Sequence, residues 1–188
     1  MTQTLFKNAR LIDPEAGEER LGWLLIERGR IAQTGLTGQG PEPEASRVID
    51  CGGKCLAPGI VDIGVKVCEP GERHKESYRS AGLAAAAGGV TTMVTRPDTL
   101  PAIDSPESLE FVARRAQQAM GVTVLPMAAL TKGREGREMT ELGFLMDAGA
   151  VAFTDCDHVV RNTKVFQRAL TYAKGLGALV IAHPQEPT

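Results

Sequence analysis

Side chains that could bind a metal ion or an anionic substrate follow four of the predicted buried strands of this chain. Lys66 lies at the end of the first of these strands, and Asp98, Asp155 and His183 follow the second, fourth and fifth. Carboxylates and imidazoles are good zinc ligands, whereas a lysine ammonium repels a divalent cation unless it is deprotonated or modified. Parallel strands bring their carboxyl ends to one edge of a sheet. The sequence therefore predicts a polar site at such an edge.

Strands and helices alternate after Pro58. Apolar, β-branched runs predict strands at 60–67, 90–95, 122–130, 150–154 and 178–182. Helical patterns lie between them at 77–87, from Asp104 or Ser105 to about 120, at 139–147 and at 163–174. Such alternation indicates a parallel sheet with helical crossovers. It fits either an open doubly wound sheet or a (β/α)8 barrel. No GxGxxG phosphate-binding loop follows the first strand, and this weakens the nucleotide-binding, doubly wound alternative.

The first 57 residues have a different pattern. Strands are predicted at 5–12, 23–27 and 30–34, with another beginning at Arg47, and Arg28-Gly29 predicts a tight turn between the second and third. We therefore expect an α/β protein with a small β-rich, sandwich-like unit at 1–57. On the barrel alternative, a partial (β/α)8 TIM-type barrel follows at 58–188, incomplete because a full barrel needs about 250 residues.

Composition excludes several classes of function. The net charge of −2 gives no basic field for nucleic acid, and no apolar run approaches the ~20 residues that span a bilayer. The N-terminus has no secretory signal pattern, and the four cysteines form no dense disulfide framework. We expect a cytoplasmic protein with reduced thiols that binds neither nucleic acid nor membrane.

Three segments form a specific combination: PGIVDIGVKVCEPGERHKE at 58–76, AAAAGGVTTMVTRPDTLPAID at 84–104 and AFTD at 152–155. Together they resemble the N-terminal half of a dihydroorotase of the amidohydrolase superfamily, over essentially all 188 residues. The resemblance implies a small β unit before a (β/α)8 barrel. It also implies hydrolysis of a cyclic amide by water that one or two zinc ions activate.

The resemblance also identifies positions at which this chain departs from the family. The family's His-x-His metal pair after the first barrel strand corresponds to Gly64 and Lys66. Its substrate-gripping arginine corresponds to Cys68, and an asparagine that helps to hold substrate corresponds to Asp98. These changes would alter the metal pair and the substrate grip together.

Two family ligands are retained at matching positions, Asp155 and His183, as remnants of the metal site. We expect Lys66 to form a salt bridge with Asp155, which would replace the lost metal charge. No catalytic residue is assigned, and no cofactor is expected.

The resemblance implies a non-catalytic, dihydroorotase-like protein of pyrimidine biosynthesis. It further implies a role as assembly partner of aspartate carbamoyltransferase. Half a barrel leaves strand edges unpaired, so we expect the chain to form oligomers or to be completed by the remainder of the barrel.

Two other functions stay open. The first is an active zinc-dependent cyclic-amide hydrolase with a remodelled centre, which would bind metal through Asp155, His183 and residues that this chain does not contain. A residual metal held by Asp155 and His183 with Asp157 or His158 is a separate alternative. The second is a small-molecule binding module in which Lys66 and Arg96 hold an anionic ligand in the old pocket, meaning the substrate pocket that the resemblance implies.

Overall fold

A computed structural model of the chain describes residues 3–185. It divides into two compact units, residues 1–58 and 59–188. None of the helices in the described range has the length and apolar character needed to cross a membrane.

The first unit is built on a twisted sheet whose longest strand lies near its centre. Its strands are β1 (Gln3–Asp13), β2 (Glu18–Glu27), β3 (Arg30–Leu36), β4 (Arg47–Asp50) and β5 (Cys55–Leu56). They are ordered β3-β2-β1-β4, and β5 also pairs with β1. The β1–β2 and β2–β3 pairs are antiparallel, whereas β4 and β5 run parallel to β1.

The tight turn predicted at Arg28-Gly29 is confirmed. Both residues have positive φ, 51° and 74°, which is the geometry of the hairpin turn that matches the twist of the flanking strands. Leu5, Trp23 and Leu25 form the small buried core of this unit.

The second unit alternates parallel strands with helices. It contains β6 (Ile60–Val65), α1 (Tyr78–Ala87), β7 (Val90–Thr95), α2 (Pro106–Ala116) and β8 (Thr123–Pro126). A short 3-10 helix (Lys132–Arg134), α3 (Leu142–Asp147) and α4 (Thr163–Leu176) follow. The sheet order β6-β7-β8 is parallel throughout, as the strand–helix alternation predicts.

The predicted fourth and fifth strands are wrong as continuous strands. Each is reduced to a single parallel bridge, Ala128↔Phe153 and Phe153↔Val180. Phe153 donates its N–H to Leu179 O, and its own carbonyl accepts from Ile181 N. The direction and order of the sheet therefore continue, and Val151 and Thr154 also donate to the carbonyls of Pro126 and Ala128 on the other side.

Three predicted boundaries also need correction. The third strand ends at Pro126, because the next amides bond to three different segments: Met127 to Thr95 O, Ala128 to Ala152 O and Ala129 to Ile103 O. Helix α3 begins only at Leu142. Helix α2 is capped by Ser105 and ends at Ala116, since Met120 and Gly121 adopt left-handed conformations that an α-helix cannot contain.

The core of the second unit lies between its sheet and its helices, and one glycine allows the closest helix approach. Gly82 of α1 is buried, and a Cβ built there would lie 2.2 Å from the carbonyl oxygen of Ala119. The segment that follows α2 therefore rests directly on the α1 backbone.

We expect Gly82→Ala to reduce the free energy of unfolding by about 1–3 kcal/mol, because the backbone at Ala119 must move away. Gly175→Ala is the matched control, since a Cβ in this exposed turn of α4 meets nothing within 4 Å. It should raise the free energy of unfolding by about 0.5–1 kcal/mol. Denaturant unfolding of the full-length protein measures both changes. Equal effects would contradict the close approach.

Candidate functional site

The polar residues after β6 and β7 meet at the carboxyl edge of the sheet. Lys66 Nζ lies 3.0 Å from Asp98 Oδ2, and Arg96 Nη2 lies 2.9 Å from the same oxygen. The Asp98 side chain is only 3% exposed, whereas that of Lys66 is 54% exposed. One buried carboxylate oxygen thus pairs with two cations, so neither cation at this strand end is without an ion-pair partner.

The predicted salt bridge between Lys66 and Asp155 is wrong. Strand register explains the difference: Val65 pairs with Thr95, and Arg96 donates its N–H to Val65 O at 2.9 Å. The segment after β7 is therefore the immediate neighbour of Lys66. Asp155 belongs to a segment that lies beyond β8, so Lys66 forms its ion pair with the nearer carboxylate of Asp98.

The backbone around Gly64 is irregular. The β6–β7 register shifts between Ile63 and Val65, and Gly64 has φ +102°. The sequence argument that positions 64 and 66 point the same way assumes regular strand alternation, and the bulge removes that basis. A Cβ at Gly64 would meet nothing within 4 Å, so the obstacle to a larger side chain here is backbone conformation rather than space.

Asp155 is buried and fully engaged inside the protein. Its Oδ1 accepts the backbone N–H groups of Leu130 and Thr131, both at 3.0 Å. Its Oδ2 accepts the Thr131 hydroxyl at 2.5 Å, and that hydroxyl oxygen accepts Gly136 N–H at 2.8 Å. The carboxylate therefore organises the loop at 130–136, which is a structural role.

His183 is exposed and lines a cavity of about 290 Å³ together with Asp155 and His158. Within residues 3–185, these and other His, Cys, Asp and Glu side chains form no group of three that could hold a metal ion. A cation lies after β6, and Asp155 is engaged by three donors. The residues present therefore do not fit a zinc centre.

Cys68 and Cys156 are both half-buried free thiols. Burial raises the pKa of Cys156, and the negative charge of Asp98 raises it further. The thiol stays protonated at neutral pH, and a protonated thiol is a poor nucleophile and a poor metal ligand.

Two residues important to this edge were missed by the sequence analysis. Arg134 donates through Nε to Asp155 O at 3.3 Å and lies 3.1 Å, through Nη2, from Asp157 Oδ1. Glu69 is buried, accepts Tyr78 N–H at 3.1 Å and pairs with Arg115 at 2.5 Å. Arg134 lies between glycines in an irregular loop, so no periodic pattern signals its contacts. Glu69 could have been noticed in the sequence, because it is an acidic residue at the start of a Glu-Pro-Gly turn.

The fold is similar to that of solved amidohydrolase structures. L-hydantoinase (dihydropyrimidinase) from Arthrobacter aurescens superposes with a TM-score of 0.81 at 23% identity, over 99% of this chain and 41% of that one. D-hydantoinase (dihydropyrimidinase) from Thermus sp. gives a TM-score of 0.70 at 23% identity, over 97% of this chain and 40% of that one. The chain therefore shares its α/β fold with the corresponding part of these structures.

A more specific match comes from the sequence. A family model described as Dihydro-orotase-like matches residues 53–188. Dihydroorotase from Syntrophus aciditrophicus (strain SB) is 38% identical over 97% of this chain, and that from Sulfurihydrogenibium sp. (strain YO3AOP1) is 39% identical over 97%. The chain belongs to the dihydro-orotase-like family. It spans 42% and 43% of the lengths of these two relatives.

We expect Asp155→Asn to lower the free energy of unfolding by about 2–3 kcal/mol, because an amide nitrogen cannot accept the donors that the carboxylate satisfies. Asp147→Asn is the control, an exposed carboxylate at the end of α3, and should change it by no more than about 0.5 kcal/mol. Denaturant midpoints of the full-length variants give the comparison. A small effect at Asp155 would argue against its structural role.

Proposed function

We propose that this chain is part of a dihydroorotase-like protein of pyrimidine biosynthesis that lacks its own catalysis and serves as an assembly partner of aspartate carbamoyltransferase. The observation that carries the non-catalytic assignment is the Lys66–Asp98 ion pair, 3.0 Å long, at the strand end where the resemblance expects a metal-binding histidine. An ammonium in that position opposes the binding of a divalent cation.

The backbone at the other position of the histidine pair supports the same conclusion. Gly64 has φ +102° within a bulge, a conformation that residues with a Cβ rarely adopt. Reversion of Gly64 to histidine would therefore require the bulge to rearrange as well. The two positions differ from a metal site in side chain and in backbone.

Substrate recognition is altered by the same network. The resemblance expects an arginine at Cys68 and an asparagine at Asp98, both of which would grip an anionic substrate. Here Asp98 is an acid that forms ion pairs with both Lys66 and Arg96. An anionic ligand in the old pocket would have to displace that carboxylate from both cations, which disfavours the binding-module alternative.

The architecture we propose is the first part of a (β/α)8 barrel. The parallel order β6-β7-β8, continued by the bridges at Phe153 and Val180, supports it. So does the exposure of Ile60, Val61 and Ile63 on β6, which has no strand on its other side within residues 3–185. Further barrel strands would cover this edge, in line with the greater length of the relatives.

The partnership rests on the resemblance. A family member without catalytic activity can still keep the surface through which a dihydroorotase associates with the transcarbamoylase. The proposal therefore separates into two parts, absence of a metal centre and presence of an assembly role, and each has its own test.

Full-length protein, purified without chelators, should contain far less than one zinc ion per chain and should not hydrolyse dihydroorotate. Elemental mass spectrometry and an activity assay on the same sample measure this. Adding zinc before the assay should leave turnover absent.

His183→Ala is the control for this metal measurement. If stoichiometric zinc is found and the variant removes both zinc and turnover, the active, remodelled hydrolase is correct and the non-catalytic proposal is wrong. Trace metal that the variant does not change supports the proposal.

For the assembly role, we expect the full-length protein to co-migrate with aspartate carbamoyltransferase in size-exclusion chromatography. We also expect the transcarbamoylase to change its oligomeric state when the protein is withheld. Separate elution, with normal assembly of the transcarbamoylase alone, would refute the assembly role and leave the metal result untouched.

A further inference from the structure

A cavity of about 640 Å³ lies beside the strand-end site, between two loops of the second unit. One loop contributes Arg134 and Arg137, and the other contributes Asp157 and Arg161. Glu135, Gly133, His158, Val159 and Gln185 complete the lining. Three arginines against two carboxylates give the lining an excess of positive charge.

The first loop is held in a defined conformation. Arg134 has φ +59°, which is uncommon for a residue with a side chain, and its side chain is only 12% exposed. The carbonyl oxygen of Arg134 accepts a hydrogen bond from His158 Nδ1 at 2.9 Å, which joins the two loops. Because a carbonyl oxygen can only accept, Nδ1 carries the proton.

The ion pairs within the cavity leave one cation over. Arg137 pairs with Glu135, and Arg134 pairs with Asp157. Asp157 is 73% exposed and also faces Arg96 at 3.6 Å, so it is shared between two arginines. Within residues 3–185, Arg161 takes part in no ion pair.

The chain around Arg161 is strongly basic although the whole protein has a net charge of −2. Residues 159–185 contain Arg161, Lys164, Arg168 and Lys174 and no acidic residue. Asn162, directly after Arg161, caps helix α4, which begins at Thr163 and has no acid in its first turn. The positive end of a 14-residue helix dipole thus adds to the local potential.

We propose that this cavity binds a small dianion, a dicarboxylate or a phosphate, through Arg161 and Arg137, with Arg134 fixing the shape of the loop. The arginine guanidinium presents paired N–H donors that match two oxygens of a carboxylate or phosphate. The exposed Arg137–Glu135 pair is a weak competitor, since solvent screens such pairs.

This site differs from the old substrate pocket. There both cations, Lys66 and Arg96, are engaged in ion pairs with the nearly buried Asp98. Here the excess cation is exposed and free of a carboxylate. The inference is independent of the proposed function, because anion binding in this cavity requires neither a metal nor an assembly partner.

The test is isothermal titration of the full-length protein with succinate and, separately, with inorganic phosphate at constant ionic strength. We expect saturable binding of at least one dianion and weaker binding of acetate. Arg161→Ala should weaken binding about tenfold, the expected loss for one charge-assisted contact.

Arg168→Ala is the matched control, because it removes the same charge from helix α4 nearby, outside this cavity. It should leave the affinity within about twofold of the wild type, since exposed charges at a distance are screened. Arg137→Ala provides a second variant in the cavity, and unchanged unfolding midpoints verify that each variant is folded.

The outcomes separate clearly. A preference for succinate identifies a dicarboxylate ligand, and a preference for phosphate identifies a phosphorylated one; either supports the site. Absence of saturable binding overturns the proposal. So does an equal loss in Arg161→Ala and Arg168→Ala, which would assign the effect to the basic helix as a whole.

Discussion

The carboxylate of Asp155 is the interaction on which the strand-end region depends. A buried carboxylate is costly unless it is hydrogen-bonded, and here three donors from residues 130 and 131 satisfy it. Thr131 links Asp155 to the loop at 130–136, because its hydroxyl donates to Asp155 and its oxygen also accepts Gly136 N–H. The loop that contains Arg134 therefore takes its shape from an acid that the family resemblance would assign to a metal.

A second buried acid organises the neighbouring strand ends. Asp98 is almost inaccessible and holds Lys66 and Arg96 through one oxygen. Removing Asp98 would leave both cations without this partner, whereas removing Lys66 would leave Asp98 paired with Arg96. Asp98 is therefore the central group of this network.

These two acids divide the edge of the sheet into regions of different charge. Lys66 and Arg96 are both paired with Asp98, and the charge of Asp155 is stabilised by hydrogen bonds rather than by a cation. A cation that takes part in no ion pair within residues 3–185 lies farther along, where Arg161 precedes α4. Recognition of an anion, if retained in this protein, is thus favoured beside the old site and not within it.

The sequence by itself determined the alternation of strands and helices, the start of α1 after Ser77 and the hairpin at Arg28-Gly29. These depend on residues close together in the chain, through periodicity, capping and turn preference. It also identified the polar residues of the strand ends, including Lys66, Asp98 and Asp155. Its segments were sufficient to indicate the dihydro-orotase-like family.

Only the tertiary structure decided which of these residues meet. The partner of Lys66 follows from the register of β6 on β7, and the single bridges at Phe153 follow from how this segment pairs with 126–128 on one side and 179–181 on the other. The bulge at Gly64 is likewise a property of the pairing. Register and partner choice depend on residues distant in the chain, so local sequence patterns could not determine them.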